Sequence, residues 1–185
     1  INKNNLDVLN MLNARYFILN DTTMQRNPEA LGNCWFVDTL TYVAGANAEM
    51  NALSTLKPAH RAVADNSFKA VLGNATTTAV GDTIYETSYK PNELTYTARS
   101  AKGGVAVFSE IYFPWGWTAE IDGKEAQIGR VNYVLRALNI PAGNHEIRFR
   151  FDPQSIKTTE SLAVAAIIII YLTLIAAGIV KSGAR

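Results

Sequence analysis

From Leu162 to Val180 the chain runs LAVAAIIIIYLTLIAAGIV, nineteen residues without a charge. Its only polar side chains are the hydroxyls of Tyr171 and Thr173, which a helix backbone can satisfy locally. At about 1.5 Å per residue such a helix is roughly 28 Å long, close to the ~30 Å hydrocarbon core of a bilayer. No face of it is polar, as expected of a helix surrounded by lipid or by other apolar helices. The alternative, a core helix of a soluble protein, rarely carries so long an uninterrupted apolar run. A membrane helix over 162–180 is therefore the expectation. Thr158, Thr159 and Glu160 offer capping chemistry just before it, so 157–161 reads as a linker and helix cap. Lys181 and Arg185 follow it and favour a cytoplasmic tail at 181–185, whereas Arg148, Arg150 and Lys157 count for the other side.

The remainder, residues 1–156, is long enough for one compact domain. No basic segment followed by an apolar run opens the chain, so no signal peptide is read there, and if the domain lies outside the cytoplasm an upstream segment must place it there. With 17 basic and 16 acidic residues the net charge is +1, and no Lys/Arg cluster points to a nucleic-acid partner. Cys34 is the one cysteine, which excludes an internal disulfide and any multi-cysteine zinc site.

Hydrophobic periodicity predicts a mostly β domain. A helix is expected over Asn5–Leu12, with Leu6, Leu9 and either Leu12 or Val8 on one face, and a second over Asn47–Leu56. Strands are read at 14–19, over the whole of Cys34–Val43, and at His60–Ala64. From Thr83 onward β character dominates. Thr83–Tyr89 alternates, and Glu93–Ser100 sets Leu94, Tyr96 and Ala98 on one face. Val105–Phe113 is apolar on both faces, as in a central strand. Asp122-Gly123 between Trp117–Ile121 and Ala126–Ile128 signals a hairpin, because both residues tolerate positive φ. In His145–Phe151 the apolar Ile147, Phe149 and Phe151 alternate with Glu146, Arg148 and Arg150. With regular turns and no βαβ rhythm, the expected architecture is an antiparallel β-sandwich, jelly-roll-like, with short N-terminal helices and one C-terminal transmembrane helix.

Catalytic and metal chemistry are sparse. His60 and His145 lack metal-ligand spacing, and no nucleophile elbow, phosphate loop or HExxH is present. Cys34 lies within an expected strand, where a small buried thiol is the ordinary reading. Asn20-Asp21-Thr22 and Asn74-Ala75-Thr76 match the short glycosylation sequon. The stretch Ser109–Trp117 carries more information. Glu110 shares a strand face with Phe108 and Tyr112, an odd place for a carboxylate unless Arg130 or Arg136 pairs with it or it belongs to a site. Trp115 and Trp117 flank Gly116, where their rings could stack on a sugar or pack as core aromatics. Glu110, Tyr112, Trp115 and Trp117 are thus candidate glycan-contact residues. A glycosidase would need a second carboxylate opposite Glu110, and Asp122, the nearest, is already explained by its turn. No catalytic residue, cofactor or metal is assigned.

Several segments resemble the C-terminal part of YfhO-like bacterial membrane proteins. They are Val107–Pro114, Gly116–Ala119 with Ile121–Gly123, Arg130–Ala137, Ile140–Gly143 and His145–Pro153, together with Leu12–Tyr16 and Gly32–Val37 near the start. The resemblance runs in order over nearly the whole chain. It implies a multi-pass protein similar to GT-C glycosyltransferases, which transfer sugars from polyprenyl-phosphate carriers to envelope polymers or lipids in the cytoplasmic (inner) membrane. The catalytic acid of such enzymes lies in an N-terminal membrane region, so none is carried over to this chain. The partners implied are the lipid bilayer, an upstream transmembrane region of the same protein, and an envelope glycan or lipid-linked sugar. The alternative is a membrane-anchored carbohydrate-binding or structural β-sandwich module without catalysis.

Overall fold

The computed structural model describes residues 5–75 and 77–183. It divides into two compact units, one ending at Phe151 and the other beginning at Asp152. In chain order the elements are α1 (Leu6–Met11), β1 (Tyr16–Asn20), β2 (Thr23–Arg26), β3 (Cys34–Phe36), β4 (Thr39–Val43), α2 (Ala46–Ala52) and β5 (Arg61–Asp65). A 3-10 turn (Asn66–Phe68) leads into α3 (Lys69–Leu72). Then follow β6 (Thr83–Lys90), β7 (Glu93–Ser100), β8 (Gly104–Ile111), β9 (Trp117–Ile121), β10 (Lys124–Ala126), β11 (Gly129–Val131), β12 (Leu135–Ile140), β13 (Gly143–Phe151) and α4 (Gln154–Gly183).

The first unit is mostly β, and its two larger sheets are antiparallel. One has the order β10-β9-β13-β7-β6 and the other β11-β12-β8-β3. The alternation of β7 and β13 turns Leu94, Tyr96, Ala98, Ile147 and Phe149 inward, where they form one core cluster with Ala106, Phe108, Leu138 and Ile140. Its centre is a triad of edge-to-face rings, Tyr96, Phe108 and Phe149, with centroids 4.9 to 5.9 Å apart. The opposite face of β8 and β12 supplies Val105, Val107, Leu135 and Ala137 to a second cluster, with Met11, Leu53, Val63 and Leu72. A strand apolar on both faces therefore sits between two cores, and Gly104–Phe108 of β8 is buried throughout. Asp122 (φ 52°) and Gly123 (φ 73°) form the two-residue turn joining β9 to β10, as the dipeptide predicts.

Three local expectations change. Cys34–Val43 is two strands: β3 pairs with β8, and β4 pairs in parallel with β5. The break falls at Asp38, whose carboxylate accepts hydrogen bonds from the N–H and the hydroxyl of Thr78 (3.0 and 2.7 Å), while Asp38 and Thr39 donate their own N–H groups to His60 O. With α2 between them, β4 and β5 make one small βαβ element that the hydrophobic pattern does not announce. In α1, Val8 and Met11 face the core while Leu6, Leu9 and Leu12 stay exposed, because the helix has only 6 residues and a leucine stripe cannot decide its rotation.

In the second unit α4 begins at Gln154, directly after Pro153, whose fixed φ suits a helix start. Residues 157–161, expected as linker and cap, lie inside it. Thr158 and Thr159 bond back to the carbonyls of Gln154 and Ser155 rather than capping the end. Gln154–Ala177 is long and apolar enough to cross a membrane, and none of it is buried. Thr173 bonds to Ile170 O, so its hydroxyl is satisfied within the helix. Thr76, of the second sequon, and Arg185, of the expected cytoplasmic tail, lie outside the described residues.

Candidate functional site

The register of β8 against β12 places the site. Leu135 pairs with Ile111, but the next residue, Arg136, pairs with Phe108, so Ser109 and Glu110 form a bulge on β8. Bulges break a ladder locally and re-aim side chains. Ser109 then donates its hydroxyl to Met11 O (3.0 Å). Glu110 is left half-buried near Arg136, Glu86 and Tyr96. Burial lifts its carboxyl above the ordinary range, the Arg136 guanidinium opposes the lift, and the Glu86 charge adds to it.

Arg136 is an inward-facing cation, the one charge on β12, and is 3 % exposed. Its Nε donates to Ile111 O (2.9 Å), and its guanidinium lies 4.0 Å from the Trp117 ring centroid and 5.4 Å from that of Phe149. Its Nη1 is buried without a hydrogen-bond partner. Burial lowers the pKa of this guanidinium and the Glu110 charge works against that. Neither partner proposed from sequence forms an ion pair with Glu110 among the described residues. Arg130 is bonded to Glu49 (2.8 Å) and stacks near Phe68 and Tyr133, and Arg136 is an electrostatic neighbour only.

Beside Arg136 a cleft of about 370 Å³ opens within the first unit, in the size range of small-ligand sites. Phe68 and Val71 form one wall, from the turn after β5 and from α3. Tyr112 and Phe113 contribute from the β8–β9 connection, Trp117 from the start of β9, and Glu125 and Gln127 from the segment after the Asp122-Gly123 turn. Tyr112 meets Phe68 edge-on at 5.6 Å. The four residues singled out in the sequence thus separate. Tyr112 and Trp117 line the cleft. Trp115, 73 % exposed, lies outside it with its ring edge-on to Phe113 at 5.2 Å. Glu110 is not part of the lining and reaches the cleft only through its field on Arg136. Trp117 is also less free than its turn position suggests, since Arg136 covers its ring and Phe151 packs at 5.3 Å.

Sequence reading passed over Phe68 and Val71, which reach the cleft from more than forty residues away and carry no local signal. Arg136 did have one: a lone charge at an inward position of Leu135–Ile140.

The other reactive groups are held in structural roles. Burial, with the Glu86 charge, pushes the Cys34 thiol up to about 12, so it stays protonated and inert. His60 and His145 each bond an aspartate, Asp38 at 3.0 Å and Asp122 at 2.6 Å. The described residues contain no cluster of three or more metal-ligating side chains.

A family model described as bacterial membrane protein YfhO matches residues 62–163, from within β5 through β6–β13, the cleft and the first turns of α4. No curated protein and no solved structure matches the chain. The family match spans more than half of the 185 residues, from β5 to the start of the apolar helix: the chain belongs to the YfhO family of bacterial membrane proteins.

Proposed function

We propose that this chain is the extracytoplasmic accessory domain and final membrane span of a YfhO-type glycosyltransferase, acting on cell-envelope polymers or lipids of the inner membrane. Its β unit would occupy residues 1–156, and the tail after Val180 would be cytoplasmic. The observation that carries this reading is the family match itself, because it runs without a break from the cleft-bearing sheets into the apolar helix. The sugar-transfer chemistry belongs to the resemblance with GT-C enzymes and would reside upstream of this chain. The role of the β unit would be to hold a glycan or lipid-linked sugar at the aromatic cleft, with Tyr112 and Trp117 in its wall and Trp115 and Glu110 beside it. Aromatic rings next to a few polar groups suit the apolar faces and hydroxyls of sugars.

The test is a titration of the full chain, in detergent or nanodiscs, with envelope oligosaccharides, followed by tryptophan fluorescence and by NMR. Saturable binding weakened by Trp115→Ala is expected, and Trp115 is exposed enough that its loss leaves the core intact. Absence of binding, or binding indifferent to Trp115→Ala and Tyr112→Ala, would remove the glycan role. The second reading, a carbohydrate-binding module with a membrane anchor, is favoured by the same cleft. It predicts binding without any effect of the β unit on sugar transfer by the parent protein.

A further inference from the structure

Arg136 has an unusual electrostatic position for a buried cation. Burying a guanidinium is costly unless a partner neutralises it and its donors are used. Here the carboxyl whose charge acts on it, Glu110, forms no ion pair with it and is itself pushed toward the protonated form by burial. Of the five N–H donors, Nε is spent on a backbone carbonyl, and Nη1 has no partner while fully buried. The side chain lies in the lining of the cleft, with one ring face of Trp117 against it. That packing fixes the plane of the fork and removes much of the rotamer freedom that binding would otherwise cost.

We propose that Arg136 makes the cleft an oxyanion subsite, so that the preferred ligand carries a carboxylate or phosphate group beside its sugar ring. The inference rests on the glycan reading above and narrows it to acidic or phosphorylated glycans. A planar, bidentate oxyanion matches a guanidinium fork that carries an unsatisfied Nη1 donor. Two carboxylates oppose it. Glu110, outside the lining, weakens the field of Arg136, and Glu125, exposed in the cleft lining, repels an incoming anion through solvent. Glu110 is the smaller obstacle, since burial already favours its neutral form. Glu125 should act as a modest brake and as a selectivity handle against multiply charged ligands.

The experiment uses the full chain in nanodiscs of zwitterionic lipid, titrated with glucuronate, glucose 1-phosphate, inorganic phosphate and glucose, and read by the Arg136 Nε–H resonance and by calorimetry. The expected result is that the anionic sugars bind about tenfold or more tightly than glucose, in line with a charge-assisted hydrogen bond. Preference for glucose 1-phosphate over glucuronate would identify a phosphorylated ligand, and the reverse a uronic acid. Glu125→Gln should tighten both anionic sugars, and Arg136→Gln, in protein whose near-ultraviolet dichroism is unchanged, should erase the preference. Glucose binding as well as glucuronate and glucose 1-phosphate in the unmodified chain would overturn the oxyanion subsite while leaving the glycan reading intact. Inorganic phosphate shifting the Arg136 resonance with no sugar binding at all would do the opposite: the anion site would stand and the glycan reading would fall.

Discussion

Glu49 and Glu110 are both withdrawn from bulk water, and their principal cationic neighbours, Arg130 and Arg136, are cross-strand partners on β11 and β12. Glu49, on α2, has no exposed surface and commits both oxygens: one accepts from Arg130 Nη2 at 2.8 Å, the other from the backbone N–H of Tyr133 at 2.9 Å. Tyr133 and Asn132 are both left-handed (φ 73° and 51°). Asn132 in turn exchanges two hydrogen bonds with Val63, so the carboxylate latches the β11–β12 turn to α2 and β5. Glu110, on its bulge, has no ion pair among the described residues and a carboxyl lifted by burial. A carboxylate that uses both oxygens belongs to the frame; one left half-buried and unpaired, next to a cation with a free donor, belongs to a surface that can still bind something. That difference separates a structural carboxylate from one beside a binding surface.

Breaking the latch should have the largest effect. Glu49→Ala leaves Arg130 unpaired and the Tyr133 N–H without its acceptor. A loss of about 3–5 kcal/mol is expected, read as a lower unfolding midpoint in urea. Arg130→Ala should cost much of the same energy, and the double variant little more than either alone. Gly129→Ala comes next. A Cβ there would lie 2.6 Å from Leu72 carbons in a site with no free space, and overpacking of that kind costs about 1–3 kcal/mol.

How much of this contrast the sequence carries depends on range. The alternation of β7 and β13 and the Asp122-Gly123 turn are local patterns, and each is present in the fold as read; β8 is buried only over Gly104–Phe108 and ends at Ile111, short of the Phe113 its apolar run suggests. The Glu49–Arg130 pair spans 81 positions, and nothing within α2 distinguishes a carboxylate that points inward from one that points to water. The bulge that sets Glu110 apart depends on cross-strand register, which one strand cannot state. Glu110 itself was legible as out of place, but its suggested partner Arg130 was not free. The cleft needed Phe68 and Val71 to be carried across the fold to Tyr112 and Trp117.

The smaller predictions sharpen the other half of the comparison. Asp122 and His145 pair at 2.6 Å; their hydrogen bond lowers the aspartate pKa and raises that of the histidine. The aspartate term is present above its ordinary value of 3.8 and is lost as pH falls through the depressed one. The histidine term is full below 6.5 and is lost as pH rises through the elevated value. The pair therefore helps most between 3.8 and 6.5, and Asp122→Asn should return the His145 titration, followed by NMR, toward its ordinary midpoint. Glu110 has the reverse sign from Asp122. Its raised pKa gives stability that is full below 4.5 and lost as pH rises through the folded value. Glu110→Gln should accordingly stabilise the protein at neutral pH and converge with the unmodified chain below pH 4.5. A destabilising Glu110→Gln would mean that this carboxylate is structurally committed, as Glu49 is.

The central claim is that the cleft-bearing unit serves sugar transfer by its parent membrane protein. The most direct measurement compares transfer to envelope acceptors by the full-length parent with and without the β unit, the apolar helix being retained and membrane insertion verified. Loss or redirection of transfer is the predicted result; transfer of the same sugar to the same acceptor at an unchanged rate would contradict it.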